Sequence, residues 1–253
     1  MTLQLRLDGA VVLVTGGTRG VGAGIASAFT LAGATVVTCG RTPPESPGDV
    51  EFHACDVREP DQVERLVGTV AQRHGGLDVL VNNAGGAPFA DAATASPRFH
   101  DRVVALNMLA PLTVARWANS VMQQQDSGGA IVNVSSVSGV RPSPGTASYG
   151  AAKAGLNSLT ASLAVEWAPR VRVNALAVGM VRTERSELHY GDAAGVAEVG
   201  RTVPLGRLAE PEEVGACAVF LASPLASYVS GATLAVHGGG EVPAFLAAAG
   251  VNR

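Results

Sequence analysis

Residues 10 to 33 constrain the fold more than any other stretch of the chain. Ala10 to Thr15 reads Ala-Val-Val-Leu-Val-Thr, and Gly16, Gly17, Gly20, Gly22 and Gly24 follow at once. A short, unbroken apolar run is what a strand buried on both faces produces, and such strands belong to parallel sheets covered by helices. Ile25 to Ala32 then reads as the body of a helix, and Gly33 stops it. Strand, glycine turn and helix in that order let a helix N-terminus and bare backbone amides meet a diphosphate. The spacing here is Gly16-x-x-x-Gly20-x-Gly22, looser than Gly-x-Gly-x-x-Gly.

The same alternation continues along the chain. Further strands are expected at Ala34 to Cys39, Glu51 to Cys55, Leu77 to Val81, Ala130 to Val134, Val171 to Ala175 and Ala232 to Val236. Helical patterns fall at Asp61 to His74, Phe99 to Gln123, Tyr149 to Ala168 and Pro211 to Ala222. With no internal linker or repeat, this predicts a single α/β domain over residues 1–253. The segment Thr42 to Val50 holds Pro43, Pro44 and Pro47, so a loop is expected there in place of a crossover helix. Residues 184–203 read as polar and irregular, a candidate substrate lid, and residues 238–253 as a tail able to cover a cleft.

Composition narrows the class of function. Hydrophobic residues make up 47% of the chain and charged residues 15%, which excludes a disordered protein. The net charge is -3 and there is no basic block, so neither nucleic acid nor an anionic membrane is an expected partner. Cys39, Cys55 and Cys217 are too few and too scattered for a disulfide framework or a zinc site, so a reduced, cytoplasmic setting is expected and no metal. Neither an export signal nor an apolar run long enough to span a membrane is seen.

Chemistry gathers at Tyr149-Gly-Ala-Ala-Lys153. Residues four apart on a helix share a face, so phenol and amine point the same way. Of the 18 basic residues Lys153 is the sole lysine, which suggests that a compact ammonium is needed there. A cation nearby favours the ionised phenol, so Tyr149 reads as a general acid or base acidified by Lys153. Ser136 lies at the carboxyl end of the fifth expected strand, where ligands bind in open parallel sheets. A loop can bring its hydroxyl and that of Tyr149 to one oxygen atom. Pro111 lacks the amide that would bond the carbonyl of Asn107, which frees one acceptor in a long helix. Asn82-Asn83-Ala84-Gly85-Gly86 ends the fourth strand with small residues and leaves room for a flat ligand. No acid lies between Thr35 and Pro44, whereas Arg41 and Arg19 can both reach a ribose 2′-phosphate, which favours NADP(H) over NAD(H). Asp56 and Val57 are placed to hydrogen-bond an adenine edge.

Together the stretches Thr15 to Gly22, Asn82 to Gly85, Asn107, Ser136 and Tyr149 to Lys153 resemble the short-chain dehydrogenase/reductases over nearly the whole chain. The resemblance implies a Rossmann-like, doubly wound parallel sheet of about seven strands with helices on both faces. It also implies roles. Ser136 polarises the substrate oxygen, Tyr149 exchanges the proton, Lys153 lowers the phenol pKa while binding the nicotinamide ribose, and Asn107 holds a water that links Lys153 to solvent. The cofactor would lie along Gly16, Thr18, Arg19, Gly20, Val21 and Gly22, then Asn83, Ala84 and Gly85, then Gly179, Val181 and Thr183. Two positions depart from the family pattern: Val178 stands where proline is common before Gly179, and His237 where aspartate is common after the last strand.

The implied activity is reversible hydride transfer between a secondary alcohol and a ketone. Leu188, His189, Tyr190 and Val196 in the lid suit a bulky, partly apolar substrate, a 3-oxoacyl thioester or an alicyclic or steroid-derived alcohol, with CoA-linked forms included. His189 reads as a lid surface residue. A homotetramer or homodimer is implied, built on the helices that contain Asn107 and Tyr149, with Ala154, Leu159 and Ala161 as small or apolar outer positions. The alternative is a dinucleotide-binding sensor or scaffold without catalysis, which the intact Ser136, Tyr149 and Lys153 disfavour. A serine hydrolase lacks its Gly-x-Ser-x-Gly elbow, a P-loop lacks its Gly-Lys pair, and metal hydrolysis lacks His-Glu-x-x-His.

Overall fold

A computed structural model describes residues 5–44 and 50–248 of the chain, with His189 and Ala247 described by their backbone alone. Seven parallel strands are present: β1 Val11–Thr15, β2 Thr35–Gly40, β3 Glu51–Ala54, β4 Val79–Asn82, β5 Gly129–Ser136, β6 Val171–Val178 and β7 Thr233–Val236. Their order across the sheet is β3-β2-β1-β4-β5-β6-β7. The order reverses between β1 and β4, and a cleft opens there at the carboxyl ends.

Two cores sandwich the sheet. On one face Ile25 and Phe29 of α1 (Gly20–Leu31) and Val214 and Ala218 of α8 (Pro211–Ala222) pack on Val12, Val14, Val81 and Val132. On the other, α2 (Pro60–His74), α4 (Ala110–Met122) and α5 (Ala147–Glu166) bury Leu66, Val114 and Leu163 against Leu13, Leu80 and Ile131. Gly24 serves this packing: a Cβ there would lie 2.3 Å from Pro211, so its absence is what lets α1 and α8 touch.

Several elements differ from the sequence expectation, each for a physical reason. Strand β5 runs two residues further and β6 three, because Ser135 and Ser136 still pair with Ala177 and Val178. The expected helix from Phe99 to Gln123 is α3 (Pro97–Val104), a π turn over Ala105–Leu109, and α4. In that turn the Ala110 N–H reaches back to Ala105, five residues away. One extra residue in the turn accommodates Pro111, which has no N–H to give. The lid is not irregular. It forms α6 (Ser186–Tyr190) and α7 (Ala193–Thr202), because Ala193 to Val199 is rich in alanine and Asp192 caps the second helix through the Gly195 N–H at 3.0 Å. No helix joins β2 to β3 among the described residues, and Pro47 lies outside them. The tail forms a last short helix, α9 (Ala244–Ala248), and residues 249–253 lie outside the described residues.

Candidate active site

The glycine turn is built for close approach. Gly16 and Gly20 have φ of 64° and 50°, in the left-handed region. A Cβ at Gly22 would stand 2.1 Å from the Gly16 carbonyl oxygen, so α1 begins directly under the turn. The residue before α1 is Arg19, whose extended backbone supplies no side-chain cap, and no acid occupies the first turn. The leading N–H groups of α1 are left without the usual side-chain acceptor, as an anion site requires. Thr18 and Val21 are half-buried beside them, and Arg19 is exposed. Across the cleft Thr183 lies 3.5 Å from the place of a Gly20 Cβ.

Asn83 holds this turn together. Its Nδ2 donates to the carbonyls of Thr15 at 2.9 Å and Gly16 at 3.1 Å, while the N–H groups of Asn83 and Ala84 both donate to the Thr15 hydroxyl at 3.0 Å. The side chain of Asn83 is thereby used on the protein's own backbone. Asn82 does similar work below, donating to Pro111 and Asn133, which in turn donates to Thr160.

At the β2 and β3 ends the structure adds a residue that the sequence reading did not foresee. Arg58 takes both oxygens of Asp56, at 2.9 and 2.5 Å, and its own N–H caps the same carboxylate at 3.0 Å. Arg58 and, less, Arg41 hold the Asp56 carboxyl below its ordinary value. The Asp56 side chain, expected at an adenine edge, is thus already occupied by Arg58. Arg41 is exposed, and it and Arg58 both act on the Asp56 carboxylate. A basic residue two positions after an acid at a strand exit was the available signal.

The four expected catalytic residues converge at the other end of the cleft. Helix α5 carries Tyr149 and Lys153 on one face, with the Lys153 Nζ 5.6 Å from the phenol ring centroid. Lys153 is 3% exposed and donates to the Val134 carbonyl of β5 at 2.7 Å. Ser135 donates to the Lys153 carbonyl at 3.3 Å, which ties the helix to the same strand. Ser136 is close enough to the phenol of Tyr149 to favour its ionised form, and its Oγ accepts from the Ser138 N–H at 3.1 Å. Asn107 is fully buried in the π turn. Its Oδ1 accepts from the Gly86 N–H at 2.8 Å and its Nδ2 donates to the carbonyls of Gly86 at 3.0 Å and Val103 at 2.9 Å. Gly85 joins the groups: a Cβ on it would stand 2.7 Å from Asn107 Oδ1 and 3.3 Å from Lys153 Nζ.

The electrostatics correct one expectation. The phenol of Tyr149 is pushed up from its ordinary value, not down, because burial penalises the phenolate more than the nearby Ser136 hydroxyl favours it. The ammonium is aimed at the Val134 carbonyl and does not supply the expected offset. Burial also lowers the Lys153 pKa to about 8.

The remaining expected cofactor positions line the third side. Gly179 donates to Val236 at 2.9 Å, and a Cβ on it would meet the His237 Cβ at 2.8 Å. Val181 pairs with Ala209 in an isolated bridge, and Thr183 is fixed by Ser186, whose Oγ accepts from the Thr183 N–H at 2.8 Å. From Arg41 and Asp56, past Gly16 to Gly22, to Gly85, Lys153 and Thr183, the strand ends offer a trough with bare amides in the middle. Its uncapped helix start and open glycines fit a dinucleotide. Among the described residues no group of three or more His, Cys, Asp or Glu side chains could hold a metal, and no helix is long and apolar enough to cross a membrane.

Such a trough, with a hydroxyl, a phenol and an amine at one end, defines an oxidoreductase of the dinucleotide-binding α/β class. A family profile described as enoyl-(acyl carrier protein) reductase matches residues 16–241. The 3-oxoacyl-(acyl-carrier-protein) reductase FabG of Thermotoga maritima is 36% identical over 93% of this chain and 99% of that protein. The 3beta-hydroxysteroid dehydrogenase 1 of Eggerthella lenta is 35% identical over 92% of this chain and 94% of its own. Among solved structures, the ligand-free aldohexose dehydrogenase of Thermoplasma acidophilum superimposes with a TM-score of 0.86, at 31% identity over 93% of this chain and 94% of that one. The chain belongs to the short-chain dehydrogenase/reductase family, whose members bind NAD(P)(H).

Proposed function

We propose that the protein interconverts a secondary alcohol and a ketone by hydride transfer, with Tyr149 as general acid/base, NADP(H) as the favoured cofactor and NAD(H) second. The convergence of Asn107 and Lys153 on Gly85, with Tyr149 beside Lys153 and Ser136 beside Tyr149, carries this reading. When bound, the nicotinamide supplies or accepts the hydride. Gly16 to Gly22 and the start of α1 would hold its diphosphate, Lys153 its ribose, and Gly179, Val181 and Thr183 the amide side of the ring.

The protein's own groups handle the oxygen and the proton. Ser136 holds the substrate oxygen beside the phenol. The phenol of Tyr149, protonated at neutral pH like any tyrosine and pushed further that way by burial, is set to give its proton as charge develops on a ketone oxygen. In the reverse direction the alcohol proton returns to it. Lys153 has one N–H on Val134, which leaves others for the ribose and for a water beside Asn107, whose carbonyl has no N–H at Pro111 to accept from.

For substrate we favour a bulky, partly apolar ketone or alcohol, a 3-oxoacyl thioester or an alicyclic or steroid-derived compound, free or CoA-linked. Support comes from the acyl and steroid activities in the relatives' names, and from exposed Val140, Leu188, Val242 and Phe245 on the turn, lid and tail. A cytoplasmic homotetramer or homodimer is the expected assembly. Ala154, Ala161 and Val165 form an exposed small or apolar stripe on α5 that fits it.

The test is NADPH consumption against a panel of acyl thioesters and fused-ring ketones, with Tyr149→Phe beside the wild type. General acids of this kind contribute about 10²- to 10⁴-fold, so turnover should fall by that factor while NADPH affinity changes by less than about threefold. Undiminished turnover in the variant would remove Tyr149 from the reaction.

A further inference from the structure

We propose that Arg141 is a substrate-recognition residue: its guanidinium binds a carboxylate or phosphate on the substrate, remote from the reacting carbon, in exchange for Glu241. The inference rests on the hydride-transfer reading above for the location of the substrate.

Arg141 follows Ser136 by five residues. The two are joined by a 3-10 turn, Val137–Gly139, whose Val137 carbonyl accepts from the Arg141 N–H at 3.1 Å. That turn is seated on the catalytic helix: a Cβ on Gly139 would lie 2.8 Å from the backbone between Lys153 and Ala154. The guanidinium is therefore carried by the wall of the cleft itself. One of its nitrogens is fixed to the Pro142 carbonyl at 2.8 Å, and another meets the Glu241 carboxylate, 100 residues away on the tail.

The tail and the lid bring Glu241 there. Val242 donates to Thr202 at the end of α7, and Leu205 donates to Gly238. Tyr190, at the end of α6, is half-buried in the field of both charges, with burial raising its pKa, Arg141 opposing that and Glu241 adding to it. Turn, lid and tail thus close one rim over the Ser136 end of the cleft, and the Arg141–Glu241 ion pair joins turn and tail.

That pair is of the kind that exchanges. Its side chains are 38% and 39% exposed, and ion pairs so exposed add little to stability. Glu241 follows three successive glycines, Gly238, Gly239 and Gly240, with φ of 61°, 97° and 87°. With Gly238 and Val242 hydrogen-bonded to the segment after α7 and to its end, the backbone can stay in place while the exposed Glu241 side chain changes rotamer to release Arg141. An arginine fork matches a carboxylate or a phosphate equally well. Glu241 is thus an exposed carboxylate held against Arg141 after a glycine bend, and a substrate anion of the same chemistry would take the place of its side chain.

The experiment uses straight-chain methyl ketones of increasing length that carry a terminal carboxylate, each beside its methyl ester. For the wild type, Arg141→Gln and Glu241→Gln, kcat/KM of acid and ester is measured with NADPH, together with the Kd of each ketone for the NADP-bound enzyme. At the preferred length, Arg141→Gln should lower the acid-to-ester ratio of kcat/KM by about 10- to 100-fold, the scale of one charge-assisted contact, and Glu241→Gln should raise it. An equal loss for acid and ester in Arg141→Gln would make the pair a structural latch and overturn the proposal. So would a ratio that neither variant moves. If neither ketone is reduced, the hydride-transfer reading fails for this panel, and the Kd ratio still decides the role of Arg141 by the same criterion.

Discussion

Replacing Lys153 with methionine should make the protein more stable at neutral pH while abolishing its activity. The buried ammonium titrates at about 8 instead of its ordinary 10.5. That difference of about 2.5 units corresponds to about 3 kcal/mol against the charged form in the folded state. The sign follows from linkage. Below pH 8 the amine is protonated in both the folded and the unfolded chain, so the folded state bears the full cost. Between pH 8 and 10.5 only the unfolded chain keeps the proton, so stability rises with pH and the cost disappears. Methionine removes the charge and also the hydrogen bond to Val134, worth about 1 kcal/mol. The net gain at pH 7 is about 2 kcal/mol, or about 4–8 °C in Tm for a chain of this size. Thermal unfolding of both proteins without added dinucleotide, from pH 7 to pH 10.5, measures it. The variant should lead at pH 7, lose its lead above pH 8, and fall behind at the top of the range. A variant less stable than wild type at pH 7, or a difference that does not vary with pH, would refute the argument that this amine is held at a cost in folding.

Two more substitutions probe the cofactor trough. Arg41→Asp should raise the Kd for NADPH by about 10- to 100-fold and that for NADH by far less, and equal losses in equilibrium titrations would discredit the 2′-phosphate assignment. Gly22→Ala puts a methyl 2.1 Å from the Gly16 carbonyl and 2.5 Å from Asn83 Nδ2, so the turn must move. The strain and the lost Asn83 bond together should cost about 2–4 kcal/mol, seen as a lower Tm, with dinucleotide binding lost in the folded fraction.

Local patterning determined a good deal. Apolar runs, helical periods and the glycine cluster are properties of neighbouring residues, so the α/β class, the parallel sheet and the turn under α1 could be read from the chain alone. Tyr149 and Lys153 share a face for the same reason, since four residues make about one helical turn. Pro111 announced a break in the hydrogen bonding of its helix, and the π turn at Asn107 is that break.

Tertiary structure decided whatever depends on residues distant in sequence. No local pattern says that Arg58 claims Asp56, that Gly24 exists to admit Pro211, or that Asn83 spends its amide on Thr15 and Gly16. The sequence points the Tyr149 shift the wrong way because it shows the cation four residues away but not the burial that outweighs it. No local pattern marks Arg141, because its partner is 100 residues distant and is brought to it by the lid and the tail. Bonding along a helix or a strand is set by neighbours, whereas desolvation and ion pairing are set by whatever the fold places across the gap.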